Sequence, residues 1–199
     1  MKQRRIFTMV FLTACILASC KKKCSLLIDH PLTAYMFITP NVERIKLGDT
    51  LKMKLFIPFE SYRTDTNEKI DVTNSSLSTS GVEFLTYKKT GNDYVINENN
   101  FIIIPTVGSF KKYNNVVIRA AYEKKLNGYV FECLVIPTEK GIAKFVNWKA
   151  EGWMNGNCDF NIFSPTVGST NNNHQLIREF FGPDANGPIP ENNYFLWVE

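Results

Sequence analysis

The two-residue apolar period of this chain is clearest in LKMKLFIPFE, residues 51–60. Its odd-numbered positions, from Leu51 to Phe59, are all apolar, whereas most even-numbered positions are lysine, proline or glutamate. Successive side chains of a β-strand point to opposite faces. This period therefore predicts a half-buried antiparallel strand, with one face packed on a core and the other largely polar.

Short strand-like segments recur on both sides of this strand. Turn residues separate them, and Asn127-Gly128 between two β-rich runs is typical of a hairpin. Further strands are predicted at residues 34–39, 82–88, 94–96, 101–104, 116–122, 129–136, 143–148, 159–163 and 194–198. A helical pattern covers residues 171–181, with Asn173 at the cap position and Gly182-Pro183 as the stop signal.

Many short strands with a single short helix indicate the fold class. They predict an all-β fold, an immunoglobulin-like β-sandwich with one short helix near the C-terminus. The alternation indicates which faces are buried, but it gives no strand order.

The first 20 residues have the pattern of an export signal. Three basic residues among the first five precede an apolar run at residues 6–17, which ends in Leu17-Ala18-Ser19-Cys20. This pattern resembles the lipobox signal peptide of bacterial lipoproteins. The resemblance implies a signal peptide at residues 1–19 and lipidation at Cys20. A plain signal peptide or an uncleaved anchor is the alternative, although the run is shorter than the roughly 20 residues that span a bilayer.

Removing such a leader changes the charge balance. Three of the 23 basic residues lie in it, so 20 remain against 19 acidic ones, a net charge of +1. A nearly neutral chain has no general attraction to nucleic acid, and we expect no nucleic-acid partner. Residues 20–33, with three lysines after Cys20, are predicted to be a lipidated tether beside anionic head groups. Residues 34–199 are predicted to be one β-sandwich domain.

In general style the chain resembles small, asparagine-rich, single-domain envelope lipoproteins of Bacteroidetes-type bacteria. Lipoproteins retained at the inner membrane of enteric bacteria have an aspartate directly after the lipidated cysteine, whereas this chain has Lys21 there. Surface-exported lipoproteins of Bacteroidetes-type bacteria have acidic residues after that cysteine, whereas residues 21–23 of this chain are lysines. The resemblance implies an outer-membrane lipoprotein, with the periplasmic face favoured over the cell surface. Asp49-Thr50-Leu51 resembles the O-glycosylation motif of these bacteria, with Thr50 as acceptor, and an ordinary turn is the alternative.

The sequence carries no motif for catalysis. It lacks the nucleophile elbow G-x-S-x-G, phosphate and dinucleotide loops, and H-E-x-x-H. Its two histidines, His30 and His174, are far apart, and no histidine and cysteine residues fall at zinc-ligand spacing. We therefore expect no catalytic residue, no metal site and no cofactor. A carboxylate pair such as Glu151 and Asp159 leaves a hydrolase open as the alternative.

The best candidate for a ligand surface is WKAEGWMNGN, residues 148–157. Trp153, Asn155 and Asn157 are predicted in a loop, where an indole beside amides suits a sugar ring or a protein partner. Trp148 and Trp197 fall in predicted strands and are expected to be mostly buried. The sequence thus predicts a membrane-anchored, non-enzymatic module that binds a glycan or an envelope protein. The alternative is a small lipid-anchored glycan hydrolase.

Cys133 and Cys158 are candidates for a disulfide. Each shares a face of its predicted strand with apolar neighbours, and disulfides persist in an oxidising envelope. The bond would contribute roughly 3–4 kcal/mol in the chain-entropy model. Two buried free thiols are the alternative.

We expect thiol titration of the denatured, unreduced protein to detect only Cys24, because lipidation removes the thiol of Cys20 and the disulfide removes the other two. The same titration after reduction, in which all three remaining thiols react, is the control. Three free thiols before reduction would contradict the disulfide.

Overall fold

The computed structural model describes residues 32–63, 65–90, 93–97, 100–114, 117–153, 160–167, 173, 175–181 and 193–199. These residues form fifteen β-strands and one helix. The strands are β1 (Leu32–Thr39), β2 (Arg44–Ile45), β3 (Leu51–Pro58), β4 (Glu60–Tyr62), β5 (Lys69–Asp71), β6 (Ser76–Thr90), β7 (Asp93–Asn97), β8 (Phe101–Val107), β9 (Ser109–Lys112), β10 (Val117–Ala121), β11 (Glu123–Lys125), β12 (Gly128–Pro137), β13 (Gly141–Trp153), β14 (Phe160–Val167) and β15 (Asn193–Val198). The helix is α1 (Gln175–Phe181).

Strand β3 lies between β1 and β12. Leu55 pairs with Met36 on β1 and with Phe131 on β12, and both pairings are antiparallel. The fully buried side chains of β3 are Leu51, Met53, Leu55 and Ile57. The predicted half-buried antiparallel strand is therefore confirmed.

The main sheet has thirteen strands in the order β11-β12-β3-β1-β14-β13-β6-β10-β9, with β8 beside β12, β7 beside β6, β15 beside β13, and β2 beside β15. The β1–β14 and β15–β2 pairs are parallel, and the other pairs in the described residues are antiparallel. Strands β4 and β5 form a separate two-stranded ribbon.

The two halves of this sheet face each other across one core. On β8, the ring of Phe101 lies 5.7 Å from that of Phe84 on β6 and 5.5 Å from that of Phe145 on β13. Strand β8 belongs to the β12 half of the sheet, so these contacts close the sheet over itself. The predicted all-β, immunoglobulin-like β-sandwich with one short helix near the C-terminus is confirmed.

Several strands extend beyond their predicted bounds. Strand β13 continues to Trp153 and β6 begins at Ser76, because the two strands pair along almost their whole length, with register shifts. Strand pairing satisfies the backbone N–H and C=O groups even in segments where apolar and polar side chains do not alternate. Strand β1 begins at Leu32, inside the predicted tether. Strand β9, which begins at Ser109, was missed because Gly108-Ser109 has the composition of a turn.

The predicted hairpin is confirmed, but its turn is Leu126-Asn127, because Lys125 of β11 pairs with Gly128, the first residue of β12. Gly128 also lies close to β3. A Cβ atom there would come within 2.4 Å of the backbone oxygen of Ile57. A side chain at this position would push β12 away from β3.

The helix begins later than predicted, at Gln175. Asn173 precedes it with a φ of 57° and is fully buried. Its side-chain Nδ2 donates hydrogen bonds to the backbone oxygens of Val42, at 2.8 Å, and Phe195, at 2.9 Å. Leu176 then packs in a small cluster that includes Phe195. Asn173 therefore ties the start of the helix to the sheet.

Cys133 lies fully buried in β12, opposite Met53 of β3. Its sulfur forms no disulfide with another described residue, and burial raises the pKa of the reduced thiol to about 12. The reduced thiol is therefore protonated at neutral pH. Cys158 lies outside the described residues, so the bond between the two stays a prediction.

The hydroxyl of Tyr129 lies 3.2 Å from the backbone oxygen of Val72 and 3.1 Å from that of Thr73, and it also contacts the oxygen of Ser75. One hydroxyl on β12 therefore fixes the turn between β5 and β6. The ring packs edge-on against Phe59, with centroids 5.4 Å apart.

We expect Tyr129→Phe to lower the free energy of unfolding by about 1–2 kcal/mol, because buried carbonyl oxygens lose their donor. Urea denaturation measures the loss. Tyr62→Phe is the matched control, since Tyr62 is 45% exposed; it should change stability by less than about 0.5 kcal/mol. Equal effects of the two substitutions would contradict the role of the buried hydroxyl.

Candidate functional site

The predicted ligand segment lies only partly within the described residues. Trp153 is the last residue of β13, and its backbone pairs with Phe160 on β14 and Ser76 on β6. The prediction that Trp153 lies in a loop is therefore wrong, because two neighbouring strands extend the sheet to this position. Asn155 and Asn157 lie outside the described residues. The ligand role of these three residues stays a prediction.

Strand register places Trp153 at one end of the sandwich. Leu32, where β1 begins, pairs with Phe163, which in turn pairs with Ala150 on β13. We call this end, where the N-terminal segment joins the fold, the entry end. The opposite end, where β1 finishes at Thr39 and β13 begins at Gly141, is the far end.

A groove of about 460 Å³ opens at the far end. Helix α1, the last part of β6, the turn before β13 and the end of β15 surround it. Its lining consists of Lys88, Lys89, Lys140, Gly141, Glu179, Phe180, Trp197, Val198 and Glu199. Its volume falls within the roughly 300–1,000 Å³ that is typical of small-ligand sites. We call it the Trp197 groove.

Trp197 supplies the aromatic wall of the groove. It pairs with Ile142 on β13 and Arg44 on β2. Its ring meets Phe180 of the helix edge-on, with centroids 5.6 Å apart, and the guanidinium carbon of Arg44 lies 5.2 Å from the ring centroid. Trp197 was predicted to be mostly buried, and the structure agrees: the short helix covers part of its ring and a minor part of the side chain stays exposed. An indole in this position offers apolar contact to a ligand.

Arg44 forms ion pairs with both carboxylates of the groove. Its guanidinium lies 3.0 Å from an oxygen of Glu199 and 3.7 Å from one of Glu179. These carboxylate side chains are about half exposed, at 54% and 52%. The carboxylates thus belong to one ion-pair network on the helix side of the groove.

The three lysines on the other side of the groove lack such an ion-pair partner among the described residues. Lys88, Lys89 and Lys140 are exposed, and none forms an ion pair with another described residue. Together with Arg44 they give the groove four cationic side chains against two carboxylates, a net charge of +2. The groove therefore combines an aromatic wall with excess positive charge.

Sequence reasoning missed this groove because its parts are distant along the chain. Ile142 pairs with Tyr87 on one side and with Trp197 on the other. This register sets Lys88, Lys140 and Trp197 around one opening. The local signals were a lysine pair after an alternating segment and a Lys-Gly turn, and neither indicates a site by itself.

A second groove, of about 610 Å³, lies near the entry end and includes Phe59, Glu60, Lys69 and Asp71. Its charged groups are engaged within the groove, with Lys69 and Glu60 2.8 Å apart. Hydrogen bonds from Thr73 lower the pKa of the Asp71 carboxyl. These charges already have partners, so this groove is the weaker candidate.

Thr50 is exposed directly before β3. The carboxylate of Asp49 accepts a hydrogen bond of 2.9 Å from the backbone N–H of Lys46, which closes a turn at residues 46–49. The turn is therefore present and leaves the Thr50 side chain accessible. O-glycosylation of Thr50 stays a prediction.

Two features are absent from the part of the chain that the structure describes. No group of three histidine, cysteine or acidic side chains is placed to hold a metal ion. No helix there is long and apolar enough to cross a membrane. The predicted signal peptide, Cys20, His30, His174 and Asp159 lie outside the described residues.

No protein-family model and no curated protein matches this sequence. Among solved structures, the human F-spondin reeler domain is similar, with a TM-score of 0.41 and 8% identity, over 91% of this chain and 99% of that chain. A cohesin module from a Clostridium perfringens family 33 glycoside hydrolase has a TM-score of 0.34 and 13% identity, over 67% of this chain and 98% of that one. Both likenesses are too distant to indicate a function.

Proposed function

We propose that this chain is a lipid-anchored envelope protein that binds a glycan or an envelope protein without catalysing a reaction. The observation that carries the proposal is the position of the Trp197 groove, at the end of the sandwich opposite the entry end. A lipid on Cys20 would hold the entry end near the membrane. The eight residues of β1 span about 25 Å, so the groove would face away from the membrane.

The chemistry of the groove supports binding. The indole of Trp197 and the ring of Phe180 form an apolar wall, and charged side chains surround it. Pockets with an aromatic wall and a few polar groups are typical of ligand sites, because apolar contact supplies affinity and polar groups fix orientation. A sugar ring, with its apolar C–H face and polar rim, matches this arrangement.

The hydrolase alternative finds less support in the same groove. Glycoside cleavage requires one carboxyl group that holds a proton for the leaving group. Glu179 and Glu199 are the carboxylates available in the groove, and both contact the guanidinium of Arg44. Both side chains are about half exposed to water, whereas the acid of a glycosidase lies in an apolar pocket. The arrangement therefore favours ligand binding over acid catalysis.

We expect Cys20→Ala to abolish labelling by a fatty-acid analogue and to release the protein from the membrane fraction of its host, because lipidation requires this thiol. Cys24→Ala is the matched control and should leave labelling and fractionation unchanged. A Cys20→Ala protein that still sediments with membranes would contradict the lipid anchor. Partition of the wild-type protein with outer-membrane rather than inner-membrane vesicles tests its location.

We expect Trp197→Ala to weaken binding on a glycan array by at least about tenfold, because the ligand loses its largest apolar contact. Wild-type protein should release no product from the glycan it binds. Circular dichroism reports whether the variant is folded, and Trp197→Phe, which keeps an aromatic ring, should retain part of the binding.

Trp153→Ala provides the comparison between the two ends of the sandwich. It should leave binding unchanged if the Trp197 groove is the site. Loss of binding in Trp153→Ala alone would place the site at Trp153, Asn155 and Asn157 instead. Product release by the wild type would favour the hydrolase.

A further inference from the structure

We infer that the ligand of the Trp197 groove is an acidic saccharide, whose sugar ring contacts Trp197 and whose anionic group is held by Lys88, Lys89 and Lys140. This inference rests on the proposed function and specifies the class of ligand. It follows from three features of the far end: the imbalance of charge, the convergence of the lysines and the adjacent aromatic wall.

The charge imbalance is confined to one side of the groove. Arg44 pairs with Glu179 and Glu199, so one positive charge faces two negative charges on the helix side, and the three lysines hold the excess positive charge on the other side. The three lysines form no ion pair with any described residue. The three lysines line one groove, and an anionic ligand there would offset their like charge. Complementary charge also steers an anionic ligand to the groove.

The backbone brings these lysines together. Lys88 and Lys89 continue β6 beyond Tyr87, and Lys140 directly precedes β13. At Gly141 the φ is 142°, and a Cβ atom there would lie 2.3 Å from the backbone oxygen of Tyr87. Since only glycine permits this close approach, β6 and β13 meet tightly where the three lysines begin. All three lysines line the same groove, and their long flexible stems would let them approach an anionic group bound in it.

The aromatic wall distinguishes a saccharide from a simple anion. A groove of about 460 Å³ is much larger than an inorganic ion requires. Trp197 and Phe180 offer the rest of this space an apolar surface, which a bare anion would leave unused. An acidic sugar uses both parts, because its ring has an apolar C–H face and its carboxylate, sulfate or phosphate group carries the charge.

Calorimetric titration of the protein with an oligogalacturonate tests the inference. The methyl ester of the same oligomer, which lacks the negative charge, is the control ligand. An array of carboxylated, sulfated, phosphorylated and neutral saccharides extends the comparison to other acidic groups. Three variant proteins carry Lys88→Gln, Lys89→Gln or Lys140→Gln singly. The matched control variant carries Lys111→Gln or Lys112→Gln, each of which removes one exposed charge from β9.

We expect the wild-type protein to prefer acidic over neutral forms of one saccharide, with an affinity that falls as salt rises. Each groove substitution should weaken binding by about threefold to fivefold, as for exposed ion pairs. The control variant should bind as the wild type does. Trp197→Ala should also lose the acidic ligand.

Other outcomes separate this inference from the proposed function. Equal binding of acidic and neutral forms, lost in Trp197→Ala, would overturn the acidic ligand and keep the binding function. Equal binding of polyglutamate would overturn recognition of a sugar ring. An equal loss of binding in the β9 control would show that total charge, rather than the groove, attracts the ligand. Failure of every saccharide to bind would overturn the inference together with glycan binding.

Discussion

The architecture depends on the aromatic contacts that join the two layers. Phe101 on β8 meets Phe84 and Phe145 of the opposite layer, and Phe145 stacks on Tyr194, with centroids 6.1 Å apart. These rings come from β6, β8, β13 and β15, which are distant in sequence. Large aromatic side chains bury much apolar area and prefer such edge-on and offset packing. The same core includes Leu55 and Phe131 from one half of the sheet and Val82 and Ile118 from the other, so the aromatic rings join two halves that share one apolar interior.

Closure of the sandwich also creates the groove. With the layers packed together, α1 lies on the outer side of β13 and β15, where Leu176 and Phe180 cover Ile142 and Phe195. The helix is too short to cover Trp197 completely. Its last turn, the end of β15 and the lysines beside β13 therefore surround an opening. The groove results from a small helix on a larger sheet.

The two ends of the sandwich differ in character. The N-terminal segment joins the fold at Leu32, and Trp153 lies near the same end. The Trp197 groove lies at the other end, with excess positive charge and a partly exposed indole. A protein held to a membrane by its N-terminus would keep this second end free for a ligand. The placement of the groove and the N-terminal segment at opposite ends is therefore consistent with the membrane anchoring that the leader predicts.

The sequence alone determined the strand faces, the class of fold and the hairpin between β11 and β12, because side-chain alternation and turn chemistry are local properties. It did not determine that β13 reaches Trp153, since this depends on pairing between distant segments. The sequence did not predict the Trp197 groove for the same reason. Lys88, Lys140 and Trp197 become neighbours only when β6, β13 and β15 pair in register, so tertiary structure alone decided where a ligand could bind.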